Sequence, residues 1–158
     1  IDGLDLRSWN LECLRSQVTL IRPGDLFNGS IADNVRLGHP DVSLYEVNAA
    51  LRQVGLLQDV LEFEEGIQTQ LLTGGLPLSS RQRVRLLIAR AIVCRPRLLL
   101  LDEILDGLDN TTLMELAGVL LHPSHNWTVI ISTREESVLN LCQRCVRLNI
   151  SPAATRQN

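Results

Sequence analysis

Apolar residues fall along this chain in two different rhythms. Val18 to Ile21, behind Leu14 and Gln17, is a short β-branched run stopped by Arg22-Pro23-Gly24, which predicts a strand followed by a turn. A short helix is predicted around Ile31 to Val35, ending near Gly38 with Pro40 just beyond. Ser43 is placed to cap a helix whose apolar positions Val47, Ala50, Leu51 and Val54 recur at helical spacing up to Gly55. Leu56 to Phe63 reads as another short helix before the acidic turn Glu64-Glu65-Gly66, so residues 26–77 are predicted to be mostly helical.

Beyond Pro77 the rhythm changes. Ser79 or Ser80 caps a basic helix with Val84, Leu87, Ile88, Ala91 and Ile92 on its buried face. Leu98 to Leu101 is a continuous apolar run ending in Asp102-Glu103, the pattern of a strand buried on both faces of a parallel sheet. A helix over 111–121, a strand over 128–132, a helix over 135–143 and a last strand near Val146 to Ile150 follow. Strands alternating with helices predict an α/β layered domain with a mainly parallel sheet. Residues 151–158 are expected to form a disordered tail, and there is no internal repeat.

Composition narrows the function. The 158 residues suffice for one domain with a single core. With 45% hydrophobic, 21% charged and only 3% aromatic residues, that core must be aliphatic. A net charge of -3 gives no electrostatic case for a nucleic-acid partner. All 15 basic residues are Arg, so no lysine can serve a phosphate or a Schiff base. No run approaches the roughly 18 apolar residues that span a bilayer. The start, Ile1-Asp2-Gly3, is not a signal peptide and reads as a fragment or a trimmed chain. Cys142 and Cys145, with His122 and His125 about twenty residues earlier, form two pairs that could ligate zinc. The polar pair Gln143-Arg144 at the end of an apolar helix favours the plainer reading, and four Asn-x-Ser/Thr matches are read as chance.

The strongest chemical signal is Leu98-Leu99-Leu100-Leu101-Asp102-Glu103. An apolar strand delivering adjacent carboxylates at its C-terminal end is the arrangement called Walker B: the first carboxylate holds Mg²⁺, and the second orients or deprotonates water at the γ-phosphate. By itself it is equally a buried strand meeting a solvated turn. Leu78-Ser79-Ser80-Arg81-Gln82 stands before the basic helix, Ile88-Ala89-Arg90-Ala91 lies within it, and Asp106-Gly107-Leu108-Asp109 follows the acidic pair. This order and spacing resembles LSGGQ, IARA, an apolar strand to DE, and SALD of the ATP-binding cassette (ABC) ATPases. Ile1 to Arg7 with Leu14 to Gln17, Leu26 to Asn34, and Thr69 to Gly75 are similar to further exporter segments, so the likeness covers residues 1–150.

The resemblance implies an incomplete, P-loop NTPase-like three-layer α/β domain, with residues 26–77 as a helical subdomain before the signature helix. It implies an ATP-hydrolysing cassette of an exporter on the cytoplasmic face of a membrane, with ATP and Mg²⁺ as cofactors. Its partners would be a transmembrane domain and a second nucleotide-binding domain, identical or not, with no nucleic acid. Glu103 would be the catalytic base and Asp102 the metal partner. Ser79, Arg81, Gln82, Asp109 and Arg134 would contact nucleotide or the dimer seam, the helix N-terminus at Ser79 facing the γ-phosphate held by the other subunit. The other reading is a degenerate, non-catalytic cassette that serves as a structural or regulatory dimerisation module. DNA-repair and chromosome-organising ATPases share the signature but insert long coiled coils, whereas only about fifty residues separate Phe27 from Leu78, as in transport cassettes.

Departures from the family pattern carry information too. Ser80 and Arg81 replace two glycines that allow close backbone approach. The Arg81 guanidinium could bind phosphate, but its bulk favours obstruction of the sandwich. Arg134 stands where the family has the switch histidine, and it cannot accept a hydrogen bond as a neutral imidazole can. Arg22-Pro23 fills the place of the Q-loop glutamine, and Thr73 replaces an X-loop glutamate. No Walker A sequence (GxxxxGK then Ser or Thr) is present. The 158 residues alone are therefore expected to hold ATP poorly, and an open sheet edge with an exposed apolar face is expected to make them aggregation-prone.

Overall fold

The computed structural model describes Asp5 and residues 10–148. Helix α1 (Leu11–Gln17) leads directly into strand β1 (Val18–Ile21). The Asn10 side chain starts α1 by accepting from the amides of Glu12 and Cys13, at 2.9 and 3.2 Å. This helix has no buried residue, so the apolar periodicity that betrays a helix is missing, and the sequence reading did not foresee it.

Residues 29–71 build a helical layer closed by a small ladder. Strand β2 (Gly29–Ser30) pairs antiparallel with β3 (Gln70–Leu71). Between them lie α2 (Ile31–Arg36), α3 (Leu44–Gln53) and α4 (Leu57–Leu61). Both α2 and α3 begin with capping boxes, Ser30 with Asp33 and Ser43 with Glu46, each satisfying two amides that the first turn leaves open. The ladder was not foreseen, because two residues per strand are too few for a period.

Helix α5 (Ser80–Cys94) runs through the middle of the molecule. Ser79 caps it, with Gln82 completing a third capping box. Leu86 to Ala91 are all buried, so α5 is covered nearly all round at its centre, packing on α2, α3, β1 and the later helix α6 (Asn110–Leu120). Arg90 is the exception in chemistry: a charged residue only 5% exposed.

The main sheet has three parallel strands in the order β1, β4 (Leu98–Asp102), β5 (Thr128–Ser132). Helix α6 is the crossover between the last two. Ile21, Leu99 and Leu101 point into the core, with Val129 and Ile131 against it. The other face corrects the expectation of burial on both sides. There Leu20, Leu100 and Ile130 lie in register across the three strands, and Leu20 and Ile130 stay 47% and 56% exposed. The described residues stack their helices and apolar side chains on the first face, which leaves these three only partly covered.

The C-terminal part departs further. Helix α7 spans only Glu136–Leu139, where a helix over 135–143 was expected. The Leu141 and Cys142 amides reach back three residues, to the Val138 and Leu139 carbonyls, so the last turn tightens and the helix stops. Residues 146–148 carry no strand: Val146 and Leu148 alternate with polar neighbours, but among the described residues no strand pairs with them, and both are exposed. The rest of that expected strand, the tail over 151–158, and nearly all of Ile1 to Arg7 lie outside the described residues.

Candidate functional site

Parallel strands bring the ends of β4 and β5 to one edge of the sheet, and the acidic pair stands there. Asp102 is the last residue of β4, in register with Ser132 of β5. The Ser132 hydroxyl donates to Asp102 Oδ1 at 2.6 Å. Glu103 leaves the strand with φ 51°, a left-handed backbone that non-glycine residues seldom adopt. Its amide donates to the Ser132 carbonyl at 3.0 Å, which ties the turn to β5.

The loop after β5 is fixed from the same side. Asp106 accepts from the Thr133 hydroxyl through Oδ1 and from the Arg134 amide through Oδ2, the latter at 3.1 Å. Arg134 then pairs with Glu103, Nη2 to Oε1, at 3.1 Å. Both side chains remain largely in solvent, at 84% and 49% exposure, so the pair itself adds at most about 1 kcal/mol to stability. What fixes it is the backbone anchoring on either side.

A second cluster forms at the start of α5. Ser79 Oγ accepts from the Gln82 amide at 3.3 Å, and Gln82 Oε1 accepts from the Ser79 amide at 2.9 Å. The Gln82 amide nitrogen donates to Asp59 Oδ2 of α4 at 3.0 Å, so this side chain is spent on the cap and on a bridge between helices. Arg81 Nη1 pairs with Asp109 Oδ2 at 3.1 Å. Of the residues singled out in the sequence, Asp102, Glu103 and Arg134 therefore meet at the strand ends, while Ser79, Arg81, Gln82 and Asp109 meet at the α5 N-terminus. The loop 104–108 connects the two clusters.

Asp109 also caps α6, accepting from the Thr112 amide at 3.0 Å and the Thr112 hydroxyl at 2.8 Å. The Thr112 amide bond, then the hydroxyl bond, then Arg81 hold the Asp109 carboxyl down at about 2, against an ordinary 3.8. A depressed folded value stabilises the fold above the unfolded one. The contribution is complete above about pH 4 and is lost as pH falls to about 2. Asp109→Asn is expected to flatten this part of the acid-melting profile, and melting temperatures of parent and variant across that range measure it.

Sequence reasoning gave no role to Ser132, Asp106 or Arg90, although the last two stand in the quoted motifs. The β4–β5 register reveals Ser132, and the hydrogen bonds of the loop after β5 reveal Asp106. Arg90 Nε donates to the Asn34 carbonyl at 2.7 Å, Nη2 to Asn34 Oδ1 at 3.0 Å and Nη1 to the Asp25 carbonyl at 3.0 Å. Its guanidinium lies 5.7 Å from the Phe27 ring centre. Burial pulls the Arg90 guanidinium below its ordinary range, and the Asp25 charge offsets part of that. An arginine two residues after Ile88 on a buried helix was the signal available.

The donor set at the strand ends is one of carboxylate and hydroxyl oxygens. That suits a hard divalent cation such as Mg²⁺, which is commonly bound by one or two carboxylates and completed by phosphate and water oxygens. Among the described residues no three His, Cys, Asp or Glu side chains gather as a full protein cage. The His and Cys pairs go elsewhere. His122 Nδ1 lies 2.7 Å from Ser124 Oγ, His125 stacks on Trp127, and the Cys142 and Cys145 thiols face the Val138 and Leu139 carbonyls. Among the described residues no helix is long and apolar enough to cross a membrane.

No protein-family model matches the chain. Individual proteins do. It is 34% identical over 151 residues to a multidrug efflux ATP-binding/permease protein of Mycobacterium tuberculosis, covering 94% of this chain and 13% of that protein. It is 35% identical over 147 residues to the cyclolysin secretion/processing ATP-binding protein of Bordetella pertussis, covering 92% and 21%. Human ATP-binding cassette sub-family B member 6 is 35% identical over 146 residues, covering 90% and 17%. The chain thus spans between 13% and 21% of the length of these curated relatives. Among solved structures, a bacterial Atm1-family ABC exporter with ATP bound superposes with a TM-score of 0.77 at 28% identity, covering 87% of this chain and 24% of that one.

Proposed function

The chain is a member of the ABC exporter family, and we propose that it forms part of an ATP-binding and ATP-hydrolysing cassette that couples nucleotide chemistry to export across a membrane. The observation that carries the proposal is the acidic pair Asp102-Glu103 at the C-terminal end of a central parallel strand, held to its neighbour through Ser132. In open parallel sheets, ligands bind at the carboxyl ends of the strands.

In this reading Asp102 and the Ser132 hydroxyl provide the oxygen face for Mg²⁺. When bound, Mg²⁺ neutralises phosphate charge and orients the β- and γ-phosphates. Glu103 orients the attacking water and takes its proton. The Ser79 hydroxyl accepts the Gln82 amide yet keeps its own hydrogen, so it is free to donate to a phosphate oxygen presented by a second cassette. Gln82 serves Ser79 as a positioning residue rather than as a contact of its own. Residues 26–77 would be the helical subdomain, the cassette would sit on the cytoplasmic face, and a transmembrane domain and a second cassette would be its partners. ATP and Mg²⁺ are its ligands.

The second reading, a non-catalytic dimerisation module, draws on the two arginines that stand in motif positions and pair with the acidic residues of the same chain. Association separates the two. Measured by light scattering on the detergent-solubilised protein that carries this sequence with a second cassette, association of the cassettes is expected to require ATP and to reverse on nucleotide removal. Association that ignores ATP would favour the module instead.

A further inference from the structure

Arg134 reaches Glu103 from a loop whose backbone is tied to Asp106. Its own amide and the Thr133 hydroxyl are both bound to Asp106, while the Glu103 amide is bound to Ser132 at the end of the same strand. Both partners of the 3.1 Å ion pair therefore stand on anchored backbone, and Glu103 holds a left-handed φ of 51° there. The contact is built into the junction of β4 and β5.

We infer that Arg134 is an autoinhibitory residue, holding the Glu103 carboxylate in an ion pair and so withholding it from water. The inference rests on the reading of Glu103 as the residue that serves the attacking water. For hydrolysis, a Glu103 oxygen accepts the proton that water loses as its oxygen bonds to the γ-phosphorus. The bond from that phosphorus to the bridging oxygen breaks, and its electron pair leaves on ADP. A guanidinium across the carboxylate occupies the acceptor that this step requires. Arg134 cannot take over, because it has five donors and no acceptor. The cassette therefore holds nucleotide and turns it over slowly until Arg134 is drawn away.

Arg134→Ala tests this in the whole protein that carries the sequence. The side chain is 84% exposed, so its removal leaves the core untouched, and thermal melting confirms the folded state. Relative to the parent, steady-state Mg·ATP hydrolysis is expected to rise by up to about 5-fold, the most that freeing Glu103 from a solvent-exposed ion pair supplies. Adding Glu103→Gln to Arg134→Ala is expected to remove that gain. Independently of turnover, Mn²⁺ titrated without nucleotide and followed by electron paramagnetic resonance should bind several-fold tighter in Arg134→Ala, because two neighbouring carboxylates lose their cation. Unchanged turnover and unchanged Mn²⁺ binding in a variant that still binds Mg·ATP would overturn the inference and leave the cassette reading intact. So would a gain that survives Glu103→Gln. Failure of both parent and variant to bind Mg·ATP would overturn the two together.

Discussion

Replacing Arg90 by methionine is expected to destabilise the fold by about 3 kcal/mol, the scale at which a buried, fully hydrogen-bonded charge is lost with its partners left behind. The guanidinium serves three acceptors on the segment 25–34: the Asp25 carbonyl, the Asn34 carbonyl and Asn34 Oδ1. Asn34 is itself completely buried. Its side chain accepts from the Phe27 amide at 3.1 Å and donates to the Phe27 and Ser30 carbonyls at 3.0 Å each. Arginine and asparagine together thus form a polar knot that fastens this segment to α5. Methionine would fill much the same volume but strand the Asp25 and Asn34 carbonyls in an apolar setting. Lysine keeps the charge and lacks the planar fork, so Arg90→Lys should recover only a minor part of the loss. Urea midpoints at constant slope, compared for parent and both variants, read the effect directly.

How much of this was legible beforehand follows a physical line. Strands β1 and β5 were visible to the residue, because β-branched runs stopped by turn residues leave little choice of ends. The cap at Ser43, and one at Ser79 or Ser80, were visible because a hydroxyl before a periodic apolar stretch has one common use, and the structure places the second at Ser79. Helix α1 was not, since it buries nothing, and β2 with β3 was not, since each strand is two residues long. The half-open outer face of the sheet was missed as well. Four consecutive leucines read as buried on both sides, yet Leu98 and Leu100 are only half-covered.

At the site, the motif order located Asp102, Glu103, Ser79 and Asp109 along the chain. It could not show that Arg81 meets Asp109 across 28 residues, or that Arg134 meets Glu103. Both arginines stood out in the sequence only as departures, and their partners come from loop geometry. Arg81 was read as an obstruction to a partner cassette. In this structure its guanidinium turns toward Asp109 of its own chain, which supplies a local reason for the side chain to be held there.

Within the acidic pair, Asp102 is the residue that a single substitution probes most directly. Its carboxylate ends a strand whose core face is fully packed by Leu99 and Leu101, so the residue can be changed without opening a cavity. Its partner Ser132 lies at the surface and can hydrogen-bond to water instead. Asp102→Ala should therefore fold normally, while losing the carboxylate oxygen that would face Mg²⁺ directly or through water. Loss of one such support costs roughly 10–100-fold in metal affinity. The decisive measurement is the titration of a fluorescent ATP analogue into the complete protein that carries this sequence, parent and Asp102→Ala side by side, with Mg²⁺ and with EDTA. Saturable binding by the parent that weakens in EDTA, and a variant whose affinity falls by that factor and no longer responds to Mg²⁺, is the predicted result. Equal, Mg²⁺-dependent binding by parent and variant would contradict the assignment of Asp102-Glu103 as the nucleotide-processing centre.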